Sequence, residues 1–142
     1  MVNWFIYIFF VFFLILFFVY VFGNRETIDI NDLEIDSEYS FFNNSQGKTA
    51  YYSIGDDSNE PLILIHGVTV PSYYYKKIAT SLSEIGYKVY VYDHFGRGYS
   101  DRPKVKYNMN NYQNQLNDFI NHLSLDNVTL MGVSMGGALA SN

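Results

Sequence analysis

Hydrophobic positions near the start of the chain form one unbroken run. No charged side chain occurs from Met1 to Asn24, and residues 4–22 are almost entirely Phe, Ile, Val and Leu. As a helix this run would be about 28 Å long, close to the ~30 Å hydrocarbon core of a bilayer. Trp4 and Tyr20 lie near its two ends, where amphipathic rings favour the headgroup region. We therefore predict a transmembrane signal anchor over residues 1–23 and a single-pass membrane protein.

A cleaved signal peptide is the alternative interpretation of this segment. Such a peptide has a basic start and an apolar stretch of about 7–15 residues. This segment has no basic start and is longer, which favours the anchor, but Val21-Phe22-Gly23 is tolerable as a cleavage site. Cleavage would make the protein secreted or lumenal. A buried core helix is disfavoured because the segment has no polar face, and Arg25 alone does not define an orientation in the membrane.

The pattern changes to short alternating elements after residue 37. Residues 24–37 are polar and acidic and read as a linker. Glu38–Asn43 and Lys48–Ile54 are predicted strands, and the Asn- and Gly-containing turn between them indicates a hairpin. Leu62–Ile65 is a short apolar run, which is typical of a strand buried on both faces.

The spacing of apolar residues predicts two amphipathic helices. The first is indicated by Tyr74, Ile78, Leu82 and Ile85, with Gly86 placed to end it. The second is indicated by the apolar series Tyr112, Leu116, Phe119 and Leu123.

Further strands are predicted at Lys88–Tyr92 and at Val128–Met131, and the second of these is expected to be buried. A helix is predicted to begin at Met135. A hairpin followed by repeated β-α-β units implies an α/β fold. Parallel strands need such crossovers, so we expect an open, mainly parallel sheet with helices on both faces. This domain would span residues 38–142.

Composition excludes several classes of function. The formal net charge is −5 and no run of Lys or Arg occurs, which argues against a nucleic-acid partner. The absence of cysteine excludes disulfides, thiolate catalysis and cysteine-bearing zinc sites in this stretch. A His66–Asp93–His94 metal site has no further support, and a dinucleotide site at Gly96-Arg97-Gly98 lacks its third glycine. We therefore expect no metal and no cofactor.

The segment around Ser134 carries the clearest chemical signal. Gly132-x-Ser134-x-Gly136 stands between a predicted strand and the start of a helix, which is the context of a nucleophile elbow. The serine of such an elbow sits on a sharp, strained turn, and glycine at 132 and 136 would relieve the crowding around it. The hydroxyl would lie above the sheet near free backbone N–H groups that can stabilise an oxyanion. Taken alone, this five-residue pattern is a weak signal.

Two more segments strengthen it. His66-Gly67-Val68 ends a predicted strand, where Gly67 would let the backbone turn tightly, and residues 92–103 (YDHFGRGYSDRP) follow the next strand. With these three motifs, in this order and spacing, the chain resembles the α/β-hydrolase superfamily over about residues 38–142. The resemblance is to its esterase, lipase and monoacylglycerol-lipase-like members.

The resemblance implies a role for each motif. Ser134 would attack an acyl carbonyl, and the backbone N–H groups of Met135 and Val68 would form the oxyanion hole. His66 would hold the oxyanion loop and would not act as general base, and the loop from Asp93 to Ser100 would brace both the elbow and the oxyanion loop. The structural residues of the elbow and the two loops would be Gly132, Gly136, Gly137, His66, Gly67, Asp93, Gly96 and Gly98.

The same resemblance implies that two catalytic groups lie outside this chain. In the family the triad acid and base follow the nucleophile in the sequence, whereas His66, His94, His122, Asp93 and Asp101 all precede Ser134. We therefore expect the domain to be truncated after the elbow, the chain alone to be inactive, and Val128–Met131 to form an exposed apolar sheet edge.

The predicted function is that of a membrane-anchored serine hydrolase acting on carboxylic esters. The anchor favours lipid-derived esters of the monoacylglycerol or lysophospholipid type, an argument by association. The alternatives are a catalytically inactive membrane-tethered fragment or pseudoenzyme, and a serine acyltransferase or thioesterase on the same fold. Dehalogenase and epoxide-hydrolase relatives are disfavoured because they place Asp where this chain has Ser134.

Overall fold

The computed structural model describes residues 4–23 and 38–142. The chain divides into two compact units, Met1–Glu34 and Ile35–Asn142. The predicted linker over residues 24–37 lies outside the described residues.

The first unit contains helix α1 (Trp4–Gly23), which coincides with the predicted apolar segment. None of its described residues is buried, and its mean hydropathy is 3.0. The helix is long and apolar enough to cross a membrane, and a signal sequence can have the same length and composition.

The second unit is built on a five-stranded sheet with helices on both faces. Its strands are β1 (Ser40–Asn43), β2 (Lys48–Ile54), β3 (Glu60–Ile65), β4 (Tyr87–Tyr92) and β5 (Thr129–Gly132). Its helices are a 3₁₀ turn (Ser72–Tyr75), α2 (Lys76–Glu84), α3 (Met109–His122) and α4 (Met135–Ala140). Each predicted strand and helix of the domain is present, with bounds that differ by one or two residues in most cases.

The sheet order is β1-β2-β4-β3-β5. Strand β3 pairs in parallel with β4 and β5. Strand β2 pairs antiparallel with both β1 and β4, so the predicted hairpin is confirmed. The sheet is therefore mixed and not mainly parallel in the described chain, because the second hairpin strand joins the parallel set in reverse direction.

Alternate residues of β3 supply two separate cores. Ile63 and Ile65 pack on one face with residues of α3 and α4, and Leu62 and Leu64 pack on the other with the 3₁₀ turn and α2. This alternation follows from the two-residue period of a strand. All four side chains are at most 3% exposed, which confirms the prediction of a strand buried on both faces.

The predicted apolar face of α2 is correct at Leu82, which packs against the core, and wrong at its other three positions. Tyr74, Ile78 and Ile85 are 63%, 43% and 71% exposed, whereas Tyr75 and Ala79 are buried against the sheet. Tyr74 belongs to the 3₁₀ turn, which has about three residues per turn, so it is out of phase with the α-helix that follows. The small Ala79 lies in α2, which packs against β4 and β2.

The predicted apolar face of α3 is correct. Tyr112, Leu116 and Phe119 are at most 7% exposed, and Leu123 packs beside them. The helix begins after Asn108, whose side chain accepts a hydrogen bond of 3.0 Å from the Asn111 amide. Such an N-cap satisfies one of the free amides of the first turn.

Strand β5 lies at one end of the sheet and pairs with β3 on one side. Thr129 is exposed and Met131 is 41% exposed. The prediction that this strand is buried is therefore wrong in the described chain, and the expectation of an exposed edge holds. The C-terminal ends of β3, β4 and β5 lie at the same edge of the sheet, since the three strands are parallel.

Candidate active site

Ser134 occupies the sharp turn between β5 and α4. Its backbone has φ 56° and ψ −120°, a region that residues other than glycine rarely adopt. The turn is fastened by the Val133 amide, which donates to the Ile65 carbonyl at 3.0 Å, and by the Gly136 amide, which donates to the Val133 carbonyl at 2.9 Å. The Ser134 side chain is exposed. A strained backbone held in this way, with an exposed hydroxyl, is typical of a functional site.

Two glycines make this turn sterically possible. A Cβ atom on Gly132 would overlap the carbonyl of Gly136, and a Cβ atom on Gly136 would overlap the carbonyl of Ile65 at the end of β3. The crowding predicted at these positions is therefore present. Gly137 differs, because a Cβ atom there would meet its nearest neighbour, the Gly132 carbonyl oxygen, at an ordinary 3.4 Å.

Gly67 brings a second loop against the serine. A Cβ atom on Gly67 would lie 3.2 Å from the Ser134 Cβ and 3.8 Å from its Oγ. Gly67 does not adopt a left-handed conformation, and the tight turn expected there stays a prediction. The close approach of the loop to Ser134 favours glycine at this position.

Two backbone amides on the segments that meet at Ser134 have no hydrogen-bond partner within residues 38–142. The Met135 amide opens α4, where amides of the first turn have no partner within the helix, and the Val68 amide follows Gly67 in the chain. Neither amide has a hydrogen-bond partner among the residues that the structure describes. They are the two donors that the family resemblance assigned to an oxyanion hole.

His66 and His94 form a buried pair beneath the loop that follows β3. His66 donates from Nδ1 to the Gly67 carbonyl at 2.6 Å, and its Nε2 accepts a 3.0 Å hydrogen bond from the His94 amide. His94 donates from Nε2 to the His66 carbonyl at 3.0 Å, and the ring centroids are 4.2 Å apart. These bonds place the His66 proton on Nδ1, so that His66 is neutral, and they place a proton on Nε2 of His94.

The protonation state of both rings follows from their burial. Burial is the main cause that lowers the pKa of His94, to about 3, and the neighbouring His66 lowers it further. Burial likewise lowers the pKa of His66. Asp93 Oδ1 lies 3.9 Å from His66 Nε2, but this contact is not an ion pair because Nε2 accepts a hydrogen bond and carries no proton.

Asp93 joins the loop after β4 to the segment after β3. Its Oδ1 accepts from the Ser72 amide at 2.7 Å, and its Oδ2 accepts from the Tyr99 amide at 3.0 Å. Gly98 has φ 46°, and a Cβ atom there would overlap the Asp93 carboxylate. The bracing that the resemblance assigned to this loop thus has a physical basis in two backbone-to-carboxylate bonds.

Sequence reasoning missed two side chains that hold this region together. Arg97 donates from Nε to the Val68 carbonyl and from Nη1 to the Gly96 carbonyl at 2.8 Å. Gln115 donates to the Asp93 carbonyl at 3.0 Å and accepts from the Phe95 amide at 3.0 Å. Gln115 could have been found, because it is a polar residue on the apolar face of α3. No sequence signal singled out Arg97.

Two residues that the sequence analysis excluded from the catalytic triad, Asp101 and His122, make contacts that do not involve Ser134. The Asp101 carboxylate accepts from the Lys48 amide at 2.7 Å, and the His122 ring stacks on Phe42 at 4.5 Å. No histidine hydrogen-bonds to the Ser134 hydroxyl within residues 38–142. Over the described residues no cluster of three or more His, Cys, Asp or Glu could hold a metal ion, and both His66 ring nitrogens are occupied by backbone groups.

Replacing Gly136 by alanine is expected to damage the elbow, because the added methyl group overlaps the β3 backbone. We expect Gly136→Ala to lower the free energy of unfolding by about 2 kcal/mol or more. Gly137→Ala is the matched control and should leave stability unchanged or raise it by about 0.5–1 kcal/mol, since alanine favours a helix interior. Urea unfolding measures both, and equal stability of the two variants would contradict the packing described for Gly136.

Acid should destabilise the domain through the buried histidine pair. In the unfolded chain both rings have a pKa near about 6.5, whereas the folded values are lowered. As the pH falls, the unfolded state therefore binds protons before the folded state does. The histidine pair contributes its whole stabilisation above about pH 6.5, and this contribution decreases as the pH falls towards 3. Each ring can contribute at most about 1.4 kcal/mol per pH unit.

Urea unfolding between pH 7.5 and 5.5 tests this expectation, because carboxyl groups titrate mainly below that range. His94→Leu should show a shallower dependence on pH, whatever its stability at pH 7.5. A native protein whose stability is flat over this interval would be inconsistent with a buried neutral pair.

Comparison with known proteins agrees with this geometry. The family model described as "alpha/beta hydrolase fold" matches residues 60–142. A putative non-heme chloroperoxidase of Synechocystis is 33% identical over 79 residues, which cover 56% of this chain and 29% of the relative. Haloalkane dehalogenase 2 of Mycobacterium tuberculosis is 28% identical over 104 residues, covering 72% of this chain and 35% of the relative.

A solved structure is similar over the same part of the chain. The thioesterase domain from the curacin biosynthetic pathway superposes with a TM-score of 0.68 at 26% identity, covering 73% of this chain and 38% of that domain. The chain spans about a third of the length of the curated relatives it matches. Because the family model covers more than half of the chain and the fold and turn agree with it, the protein belongs to the α/β-hydrolase fold family.

Proposed function

We propose that Ser134 is the nucleophile of a serine hydrolase that cleaves carboxylic esters. The observation that carries the proposal is the strained, exposed serine at the β5–α4 turn, with φ 56° and with Gly67 close beside it. A structural serine would gain nothing from a backbone that costs about 1–3 kcal/mol to maintain. Membership in a hydrolase-rich fold family supports the proposal without specifying the reaction.

The two free amides support acyl chemistry in particular. When the Ser134 oxygen adds to an ester carbonyl, the carbonyl oxygen becomes an anion. In this proposal the Met135 and Val68 amides receive it, since the described chain offers neither amide another partner. Fixed donors of this kind stabilise charge that develops only in the transition state.

The proposal also requires a general base, because a serine hydroxyl is a weak nucleophile without one. The rings of His66 and His94 are committed to backbone groups. The order of the triad in this fold is serine, acid, histidine. We therefore propose that the acid and the base follow residue 142 in the full-length protein and that residues 1–142 alone do not turn over substrate.

The apolar helix α1 supports the finer proposal of a membrane-bound enzyme and a lipid-derived ester. A helix of this length and hydropathy would hold the domain at a bilayer, where monoacylglycerols and lysophospholipids partition. Thioester or acyl-acceptor chemistry is the second candidate, favoured by the similarity to a thioesterase domain. A pseudoenzyme that uses the same scaffold predicts no covalent chemistry at Ser134.

Covalent labelling tests the nucleophile. A fluorophosphonate probe should label the full-length protein that contains this sequence, and Ser134→Ala should abolish labelling because the attacking oxygen is gone. Ser141→Ala, which removes an exposed hydroxyl from the end of α4, should label like the native protein. Labelling that persists in the Ser134→Ala protein would exclude this serine, and a native protein that never labels would favour the pseudoenzyme.

Membrane attachment is tested separately from catalysis. If α1 is an uncleaved anchor, the protein should stay in the membrane pellet after alkaline carbonate extraction, and mass spectrometry should find peptides from residues 1–23. A chain that begins near Asn24 and appears in the soluble fraction would show a cleaved signal sequence instead. In that case the ester hydrolase proposal would stand and the membrane-bound lipid substrate would lose its support.

A further inference from the structure

The segment that carries the Val68 amide has little backbone support of its own. Residues 67–70 belong to no helix or strand, and no backbone–backbone hydrogen bond involves them in the described part of the chain. The Gly67 amide has a single long contact of 3.5 Å with the Tyr75 hydroxyl. Val68 itself is 39% exposed, so packing alone does not fix its conformation.

Side chains hold the two carbonyls on either side of the Val68 backbone. His66 Nδ1 donates to the Gly67 carbonyl at 2.6 Å, which orients the peptide plane that contains the Val68 N–H group. Arg97 Nε donates to the Val68 carbonyl, which orients the next plane. Because a peptide unit is planar, the Val68 N–H group lies in the plane held by His66. The Arg97 bond restrains the plane that follows, so the backbone is held on both sides of the Val68 Cα.

Arg97 is itself presented from a rigid turn. Its amide donates to the His94 carbonyl at 2.9 Å, and it stands between Gly96 and Gly98, which have φ 79° and 46°. The guanidinium also bonds the Gly96 carbonyl through Nη1. A planar group with several fixed donors can hold two carbonyls at once, which a lysine ammonium on a flexible stem does less well.

The charge of Arg97 also acts on the histidines below the loop. After burial, which is the main cause, the Arg97 charge contributes to lowering the pKa of His66 and of His94. Arg97 thus favours the neutral His66 that donates to the Gly67 carbonyl. The two carbonyls next to Val68 are therefore held by side chains that are electrostatically linked.

We propose that Arg97 is a positioning residue that aims the Val68 amide at the oxyanion by holding the Val68 carbonyl. This inference rests on the proposed ester hydrolase function. A donor that is misplaced by about 1 Å can cost on the order of 100-fold in rate, and the loss should fall on kcat because the oxyanion exists only in the transition state. Substrate binding, and therefore KM, should change little.

The first test is kinetic and uses the full-length protein with p-nitrophenyl butyrate. Arg97→Met keeps the aliphatic stem and removes the donors and the charge, and should lower kcat by about 10-fold or more with KM within about twofold. Arg97→Lys should give an intermediate kcat. Lys104→Met, which removes an exposed positive charge seven residues along the chain, should match the native protein. A rise in KM at unchanged kcat, or an equal loss in Lys104→Met, would overturn the proposal.

The second test does not depend on turnover. The ¹⁵N relaxation order parameter of the Val68 amide should be near about 0.85 in the native chain and fall below about 0.6 in Arg97→Met, with Lys104→Met unchanged. A Val68 amide that stays equally rigid in Arg97→Met would overturn the positioning role. If Arg97→Met does not fold, the order parameter of the Val68 amide is compared between the native protein and Arg97→Lys, which keeps the charge.

The two tests separate the two proposals. A native protein that is neither labelled nor active contradicts the proposed function, while the order parameter still decides the role of Arg97. A native protein that is active through Ser134, but whose kcat is unaffected by Arg97→Met, retains the function and contradicts the positioning role.

Discussion

The close approach of the β5–α4 turn to the end of β3 is the contact on which the candidate site depends. Gly136 lies against the Ile65 carbonyl, and the Val133 amide donates to that same carbonyl. This contact lets two neighbouring parallel strands place their C-terminal loops side by side, so that Gly67 meets Ser134. A methyl group at Gly136 would separate the two loops, and the hydroxyl would then lose its neighbouring amides.

The strain at Ser134 is maintained by bonds that satisfy polar backbone groups elsewhere. The turn between β5 and α4 leaves Ser134 with a positive φ, yet the amides of Val133, Gly136 and Gly137 all find carbonyl partners at 2.9–3.0 Å. The local conformational cost is thus offset by satisfied hydrogen bonds and by the packing of Leu139 into the core. Within residues 38–142, the Met135 and Val68 amides are among those that have no hydrogen-bond partner.

A buried polar layer supports the loops around the serine. Asp93, His66, His94 and Gln115 are at most 1% exposed, and each bonds to backbone groups of the loops that follow β3 and β4. Polar side chains in a core are costly unless they are hydrogen-bonded, and here their partners are the amides and carbonyls of irregular segments that lack ladder partners. The layer therefore gives two loops a fixed geometry without regular secondary structure. One ring nitrogen, His94 Nδ1, has no hydrogen-bond partner among residues 4–23 and 38–142.

The sequence by itself determined the order of strands and helices, the hairpin, the burial of β3 and the position of the serine turn. These features follow from local patterns, namely residue periodicity and the glycines around Ser134, which act over a few neighbouring positions. The face of α2, the mixed direction of the sheet and the reason for glycine at 67 were decided only by the tertiary structure. Each depends on which distant segment packs against the residue, as do the bonds of Arg97 to Val68 and of Gln115 to Asp93, which join residues that are remote in the chain. Such contacts leave no periodic trace in a single sequence, because the partner is chosen by the fold.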